Sequence, residues 1–406
     1  MTTGKPWGKA AKSVQAGDTV YVASGDYPEL VAINASGREG APIVFKSFEP
    51  RGAKVKGFKL GGDYITIEGF DISNDQDNAV GIDAGEAHRK TARQGCQMID
   101  NYIHDISGDG IRVGEHGLAK GNLIQNVGRG IFVNSGSLVE GNEIDTLLPK
   151  METKNGKERI KKTQYCFFNG DDIVFRNNYL HGTEEEHLIK GMGVCFFTTY
   201  DAWIYGPSHN ILIEGNRCFN ATHASEPSAT AHKESSHFTF RNNLFVNTVF
   251  VGVYCQSVSD IVVENNTFVN CGAYPIWFQS KRETDGSVAR NNIIAYFDRE
   301  RVVKKHGWKA AESGIRNNLH PKQAVDTENN LFWQTLDRGY DTTSITADPL
   351  FVDPANHDYR LRPGSPAINA GVTIADIKTD LRGVARPEGG AYDIGCYEYT
   401  SAEDAR

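Results

Sequence analysis

Asn-Asn-Leu-Phe at 242–245 returns as Asn-Asn-Thr-Phe at 265–268, Asn-Asn-Ile-Ile at 291–294 and Asn-Asn-Leu-Phe at 329–332. Fainter copies lie upstream, at Asn101-Tyr102-Ile103, Gly121-Asn122-Leu123-Ile124, Gly141-Asn142-Glu143-Ile144, Asn177-Asn178-Tyr179-Leu180 and Gly215-Asn216-Arg217-Cys218. The closest neighbours are 20 to 26 residues apart. Internal repeats at that period mean stacked units, each contacting the next. Every unit of such a stack is scaffold, so chemistry belongs where the pattern breaks.

A short alternating strand precedes each doublet, as in Ile211-Leu212-Ile213, Phe238-Thr239-Phe240 and Ile261-Val262-Val263. Asparagine then turns the chain, because it tolerates left-handed backbone geometry and bonds to nearby backbone. Stacked asparagine corners can share amide hydrogen bonds in a ladder. A second strand follows, as in Gly110–Val113, Gly130–Val133, Gly252–Cys255 and Pro275–Phe278. Helical spacing is scarce. The pattern reads as an all-β chain, a parallel β-helix, with the right hand taken from the habit of such folds. One continuous domain is expected: a cap at 1–17, coils at 18–345, and C-terminal coils and cap at 346–406.

Alternation places Ile111, Val113, Ile131, Val133, Val253, Cys255, Ile276 and Phe278 inward. Arg112, Phe132, Phe167, Tyr254 and Trp277 then point outward in one column. Two readings of the aromatics stand side by side. A long loop covers them, or they line a groove that stacks on sugar rings.

The 406 residues carry a formal net charge of −8 with pI near 5.9, which argues against a nucleic-acid partner. No apolar run is long enough to cross a membrane as a helix. Seven cysteines, without paired metal spacing, read as buried small hydrophobes at 166, 195, 218, 255 and 271; the roles of Cys96 and Cys396 stay open.

Four insertions interrupt the coils. They run from Asp83 to Gln97, from Leu147 to Thr163 (strongly basic), from His181 to His209 (with Tyr200 and Trp203), and from Ala221 to Ser236. Long loops on neighbouring coils can wall a cleft. The last insertion carries His223, Glu226, His232 and Lys233. Counting back from Asn242 and Asn265 sets Lys233 level with Gln256, so the 228–235 segment stands where Gly252–Gln256 stand one coil later. A lysine there is partly desolvated and loses proton affinity. The alternative is a rim lysine paired with Glu226 or Glu234.

The opening coil, the solenoid and the stretch Lys233-Glu-Ser-Ser-His-Phe-Thr-Phe-Arg-Asn242 resemble polysaccharide lyase family 6, the alginate lyases and chondroitinase B. The resemblance implies that Lys233 is the Brønsted base and that Glu226, seven positions earlier, binds Ca²⁺. Tyr254 occupies the position of the family arginine, 21 residues after the lysine, and Ser228 that of a second acidic ligand. Family 9 lyases also use a lysine on a β-helix, with calcium on aspartates; no matching Asp cluster is found here. Residues 4–22 resemble the first coil of secreted β-helix proteins, which implies a short capping helix at 8–15. The segments Asp348–Asp353, Gly364–Gly371 and Asp393–Tyr399 resemble an ending shared by many of them. Together these imply a secreted or periplasmic protein, read as a monomer.

The activity so implied is β-elimination on an acidic, uronate-containing polysaccharide. Lys233 takes the C5 proton, Tyr254 protonates the leaving oxygen, and His232 assists or substitutes as base. Neutralisation of the carboxylate would come from Ca²⁺ on Glu226, or from Arg112, Arg129, Lys281 or Arg282. Phe132, Phe167, Trp277, Tyr200, Trp203 and His223 complete the expected substrate-binding set. A mannuronan C5-epimerase shares the first step. A β-helix glycoside hydrolase needs two carboxylates, drawn from Asp109, Asp171, Asp172, Asp201 and Glu226. Asp109 and the Asp171-Asp172 pair read more simply as turn residues. A non-catalytic, tailspike-like glycan binder is the third alternative.

Overall fold

Each corner doublet divides its work between its two residues. The first takes left-handed geometry: φ is 55° at Asp100, 57° at Asn177, 54° at Asn242, 50° at Asn265, 55° at Asn291 and 52° at Asn329. At Gly121, Gly141 and Gly215 it is 65°, 64° and 65°. Only glycine, asparagine and aspartate adopt this conformation at small cost, so these three types exchange at the first position. The second residue is asparagine at all of these corners and is buried. Its amide nitrogen donates to the next Oδ1 along the stack.

The computed structural model describes residues 10–86, 90–148, 151–154, 156–160, 163–182, 194–199, 206–227, 235–256, 258–272, 274–279, 286–296, 314–318, 325–335, 341 and 344–401. The chain divides into two compact units, Met1–Thr199 with Trp203–Gly206, and Tyr200–Ala202 with Pro207–Arg406. In the first unit the ladder runs Asn101 to Asn122 (3.0 Å), Asn122 to Asn142 (2.8 Å) and Asn142 to Asn178 (3.0 Å). In the second it runs Asn216 to Asn243 (2.9 Å), Asn243 to Asn266 (3.0 Å), Asn266 to Asn292 (3.1 Å) and Asn292 to Asn330 (3.0 Å). It ends where Asn330 donates to the buried carboxylate of Asp341 at 2.7 Å.

Strands before the corners stack in parallel. In the first unit the order is Thr19–Val22, Ile43–Ser47, Ile65–Glu68, Gln97–Ile99, Leu118–Lys120, Leu138–Glu140 and Ile173–Arg176. In the second it is His209–Glu214, Ser235–Arg241, Val258–Glu264, Val288–Arg290 and Asp326–Glu328. Within each unit chain order equals spatial order, with no crossover helix among the described residues, which is the parallel β-helix read from the repeats. Helix among the described residues is confined to one turn at Ala10–Ser13 and a 3₁₀ turn at Pro354–Asn356.

Strands after the corners carry the candidate site. In the first unit these are β1 (Tyr102–Val113), β2 (Leu123–Val133) and β3 (Thr163–Phe168). In the second they are β4 (Arg217–Pro227), β5 (Leu244–Gln256), β6 (Tyr274–Gln279) and β7 (Ile315–Asn318). The eight residues expected inward are all buried. All seven cysteines, Cys96 and Cys396 included, are free and buried.

The insertions resolve differently. The basic one forms an antiparallel hairpin, Met151–Lys154 against Lys157–Ile160. Part of the third is ordinary coil, since Val194–Thr199 pairs in parallel with β3.

The C-terminal segment covers one face of the second unit. Phe351, Tyr359, Leu361, Ala367, Ile394 and Cys396 pack with Leu244, Val246, Val269, Ile293, Ala295 and Leu331. The first asparagines of the doublets fasten it. Asn242 Nδ2 donates to Thr379 O (2.7 Å), Asn265 Nδ2 to Asp393 O (2.9 Å), Asn291 Nδ2 to Val372 O (2.8 Å) and Asn329 Nδ2 to Ala370 O (2.8 Å). Glycine would satisfy the turn but not hold the segment. Arg386, buried, pairs with Glu398 at 2.7 Å beneath it.

Candidate active site

In the first unit, Arg112, Phe132 and Phe167 occupy successive rungs of one column, on β1, β2 and β3. The alternation is as expected, but the exposure is not: Phe132 is 0% and Phe167 1% exposed. Alternation fixes the side of a sheet, not whether that side is open to solvent. The two rings lie 5.3 Å apart, and the Arg129 guanidinium sits 5.2 and 5.1 Å from their centroids.

Arg129 also grips Asp109 with two bonds, Nε to Oδ1 and Nη2 to Oδ2, both 2.7 Å. Arg112 donates from Nε to Asp109 at 2.6 Å and contacts Glu86 at 3.0 Å and Asp83 at 3.6 Å. Burial pushes the Asp109 carboxyl up, but the two guanidiniums outweigh it and hold it below the ordinary carboxylate range. Two of the arginines expected to neutralise substrate, Arg112 and Arg129, are thus engaged by internal carboxylates. Asp109 lies within β1, an ionised counter-ion and not a turn residue. A glycosidase acid must hold a proton, which Asp109 does not. Asp172 does serve a turn, at φ 57°.

The second unit holds another column. Tyr254 on β5, Trp277 on β6 and Arg316 on β7 are in register. The Tyr254 and Trp277 rings are 4.6 Å apart, and Trp277 packs on Tyr274 at 5.1 Å. The Tyr254 hydroxyl donates to Gln279 Oε1. The Arg316 guanidinium lies 4.3 Å from the Tyr274 centroid and 5.0 Å from that of Trp277. Tyr254 and Trp277 are half-buried.

Pairing of β4 with β5 runs His223 to Val251 and Ser225 to Val253. Glu226, the next residue of β4, is therefore level with Tyr254. This corrects the expected register. The β4 strand, and not the 228–235 segment, stands opposite the 252–256 stretch. Counting back from Asn242 holds for the strand beside it, where Ser235 pairs with Val258, but does not reach β4, because residues 228–234 between them lie outside the described residues.

Other expected residues fall elsewhere. His223 is buried, edge-on to Phe250 at 5.1 Å, and presents no surface to a polymer. Lys233, His232, Lys281, Arg282, Tyr200 and Trp203 lie outside the described residues, as does the Glu226 side chain. Among the described residues no group of three or more His, Cys, Asp or Glu converges on a cation position, and the side chain of Glu226, the expected Ca²⁺ ligand, lies outside them.

Arg316, Tyr274 and Gln279 were not singled out by the sequence. Arg316 lies 13 residues ahead of Asn329, close to the 14 that separate Trp277 from Asn291. Backward counting from that doublet would have found it.

Residues 57–318 match the family described as "Right handed beta helix region". The chain belongs to the right-handed β-helix family. A curated relative of this β-helix protein, the uncharacterized protein YwoF of Bacillus subtilis (strain 168), is 20% identical over 416 residues. The match covers 88% of this chain and 86% of that one. Pectate lyase Pel9A superposes with a TM-score of 0.58 at 14% identity, over 97% of this chain and 91% of that chain. XylC in complex with xylose gives 0.59 at 11% identity, over 97% and 95%. The family 6 alginate lyase AlyGC gives 0.50 at 13% identity, over 85% of this chain and 52% of its own. At such identities these likenesses establish the fold.

Proposed function

We propose that this β-helix protein degrades an acidic, uronate-containing polysaccharide by β-elimination, with the chemistry in its second unit. The observation that carries the proposal is the column in which the Tyr254 phenol stands level with Glu226 and beside Trp277. It joins a proton donor and an aromatic platform on one face, with the Glu226 backbone level with the phenol. The resemblance to family 6 lyases, and the pectate and alginate lyases among proteins of the same fold, point the same way.

In the reaction, the neutral amine of Lys233 takes the C5 proton and becomes an ammonium. The C5–H electron pair forms the C4=C5 double bond, and the C4–O bond breaks. The leaving oxygen takes its proton from the Tyr254 hydroxyl. One proton is gained and one lost, so the protein ends with no net change in proton count. His232 is the alternative base. Gln279, which accepts from the phenol in the free protein, gives up that hydrogen bond when the proton goes to the leaving oxygen. A polymeric substrate places the protein outside the cytoplasm. No helix among the described residues is long and apolar enough to cross a membrane.

The test is incubation with alginate, pectate and glycosaminoglycans, following the ultraviolet absorbance of the new double bond. Unsaturated product supports elimination, and Tyr254→Phe and Lys233→Ala should each slow it by roughly 10²–10⁴-fold. New reducing ends without absorbance would favour hydrolysis. Inverted stereochemistry without cleavage would favour an epimerase. Absence of any product from a broad panel would leave a glycan-binding protein. Full turnover by Lys233→Ala would remove the lysine from the mechanism.

A further inference from the structure

We infer that Tyr21 and Phe48, in the first unit and outside the candidate active site, form an anchoring site for a pyranose ring of a polysaccharide. The inference takes its class of polymer from the proposed function and does not depend on elimination.

Tyr21 lies on the strand Thr19–Val22, and Phe48 follows the neighbouring strand Ile43–Ser47. The Phe48 backbone N–H donates to Val22 O at 2.8 Å, which holds the two residues at adjacent levels. Phe48 is 66% and Tyr21 64% exposed, and among the described residues no large hydrophobic side chain is more exposed. Their column departs from its own pattern here. Beyond Tyr21 it carries Lys46, Glu68, Ile99, Lys120, Glu140 and Arg176, mostly joined in ion pairs.

The two ring centroids are 6.5 Å apart and the planes meet at 76°. Two open rings near a right angle make a corner. A pyranose can lay its C–H face on one ring while its edge meets the other. The Lys46–Glu68 pair begins one rung away from Tyr21, partly exposed, and offers a donor and an acceptor to sugar hydroxyls.

The size of the patch selects its occupant. An aromatic side chain presents about 150–250 Å², so at these exposures the pair offers roughly 250 Å². A second copy of the chain would need about 800 Å² on each partner. One sugar ring needs no more than the corner provides.

The test uses the full chain in a Tyr254→Phe background, so that polymer is not consumed, and measures retardation in gels containing alginate, pectate or xylan. This parent should be retarded by at least one polymer. Adding Tyr21→Ala with Phe48→Ala should weaken that binding roughly tenfold, the scale of two lost aromatic contacts. Tyr21→Phe should keep it. Tyr21→Leu with Phe48→Leu should lose it, since stacking needs rings and not apolar area alone. With Tyr254 restored, the alanine pair should raise KM on polymer and leave kcat unchanged. No retardation of the parent, or equal retardation of the parent and the alanine pair, overturns the inference. So does full binding by the leucine pair, which marks a merely apolar contact. So does a fall in sedimentation mass with the alanine pair, which gives the rings to a second copy. Ring-dependent retardation by a protein that makes no unsaturated product would sink the lyase reading and keep this anchor. Unsaturated product with retardation indifferent to both rings would do the reverse.

Discussion

Replacing Asn266 by leucine should remove one rung of the second unit's ladder with little change in shape. In the native protein Asn266 Oδ1 accepts from the Asn243 backbone N–H and from Asn243 Nδ2, both at 3.0 Å. Its own Nδ2 donates to Phe240 O at 2.9 Å and to Asn292 Oδ1 at 3.1 Å. Leucine strands two buried donors on Asn243. At about 1–3 kcal/mol each, the penalty is roughly 2–6 kcal/mol. Burying the leucine side chain offsets about 1.5–3 kcal/mol of that. The expected net loss is about 2 kcal/mol. The measurement is urea unfolding followed by circular dichroism, with hydrogen exchange at the Asn243 amide as a local readout. Exchange there should accelerate well beyond that of coil amides in the first unit. The pair Asn243→Leu with Asn266→Leu should cost less than the sum of the singles by about 1–3 kcal/mol, because the stranded Asn243 side chain is gone. A single-site loss under about 1 kcal/mol, or strict additivity, would show that the ladder does not hold the coils in this way.

Four further outcomes are expected. Asp109 should stabilise the first unit at pH values above its unfolded pKa of about 3.9, and that contribution should vanish as pH falls toward its depressed folded value. Asp109→Asn should flatten this acid limb and cost about 3 kcal/mol, at the low end for a buried pair because Arg112 and Arg129 keep about a fifth of their side-chain surface in water. At Gly141, whose added Cβ meets nothing within 4 Å, Gly141→Ala should lose about 1–2 kcal/mol from left-handed strain, while Gly141→Asn should fall close to native in the same unfolding assay. Arg386→Met leaves Glu398 buried without its ion-pair partner and should cost about 3–5 kcal/mol, with protease sensitivity appearing first near 369–396. If Glu226 holds Ca²⁺, turnover on uronate polymer should fall in EDTA and return with added calcium; turnover unchanged by EDTA would remove the cation from the proposal.

The corners were legible because left-handed geometry and a shared ladder demand particular residue types. Asn243 and Asn266 announce themselves in any reading of the chain. The column was partly legible, since strict alternation set Tyr254 and Trp277 on one face. Three things escaped. Solvent exclusion of Phe132 and Phe167 depends on what lies over a strand, which periodicity does not carry. The match of β4 to the 252–256 stretch was missed because counting back from Asn242 starts in Ser235–Arg241 and does not carry across residues 228–234, which lie outside the described residues. The second duty of Asn242 and Asn291, holding the C-terminal segment, joins residues 81 or more apart and leaves no local trace.

The ladder also has a direction. Every rung passes its N–H forward and receives on its oxygen, so the amide dipoles of each unit point the same way along the stack. An asparagine at the last position would offer a donor with nothing to receive it. Asp341 accepts and has nothing to hand on, and the positive end of the dipole row meets its carboxylate. It therefore works as a full stop. The residue that ends the row differs from asparagine by one functional group, and that difference specifies where this coil sequence closes.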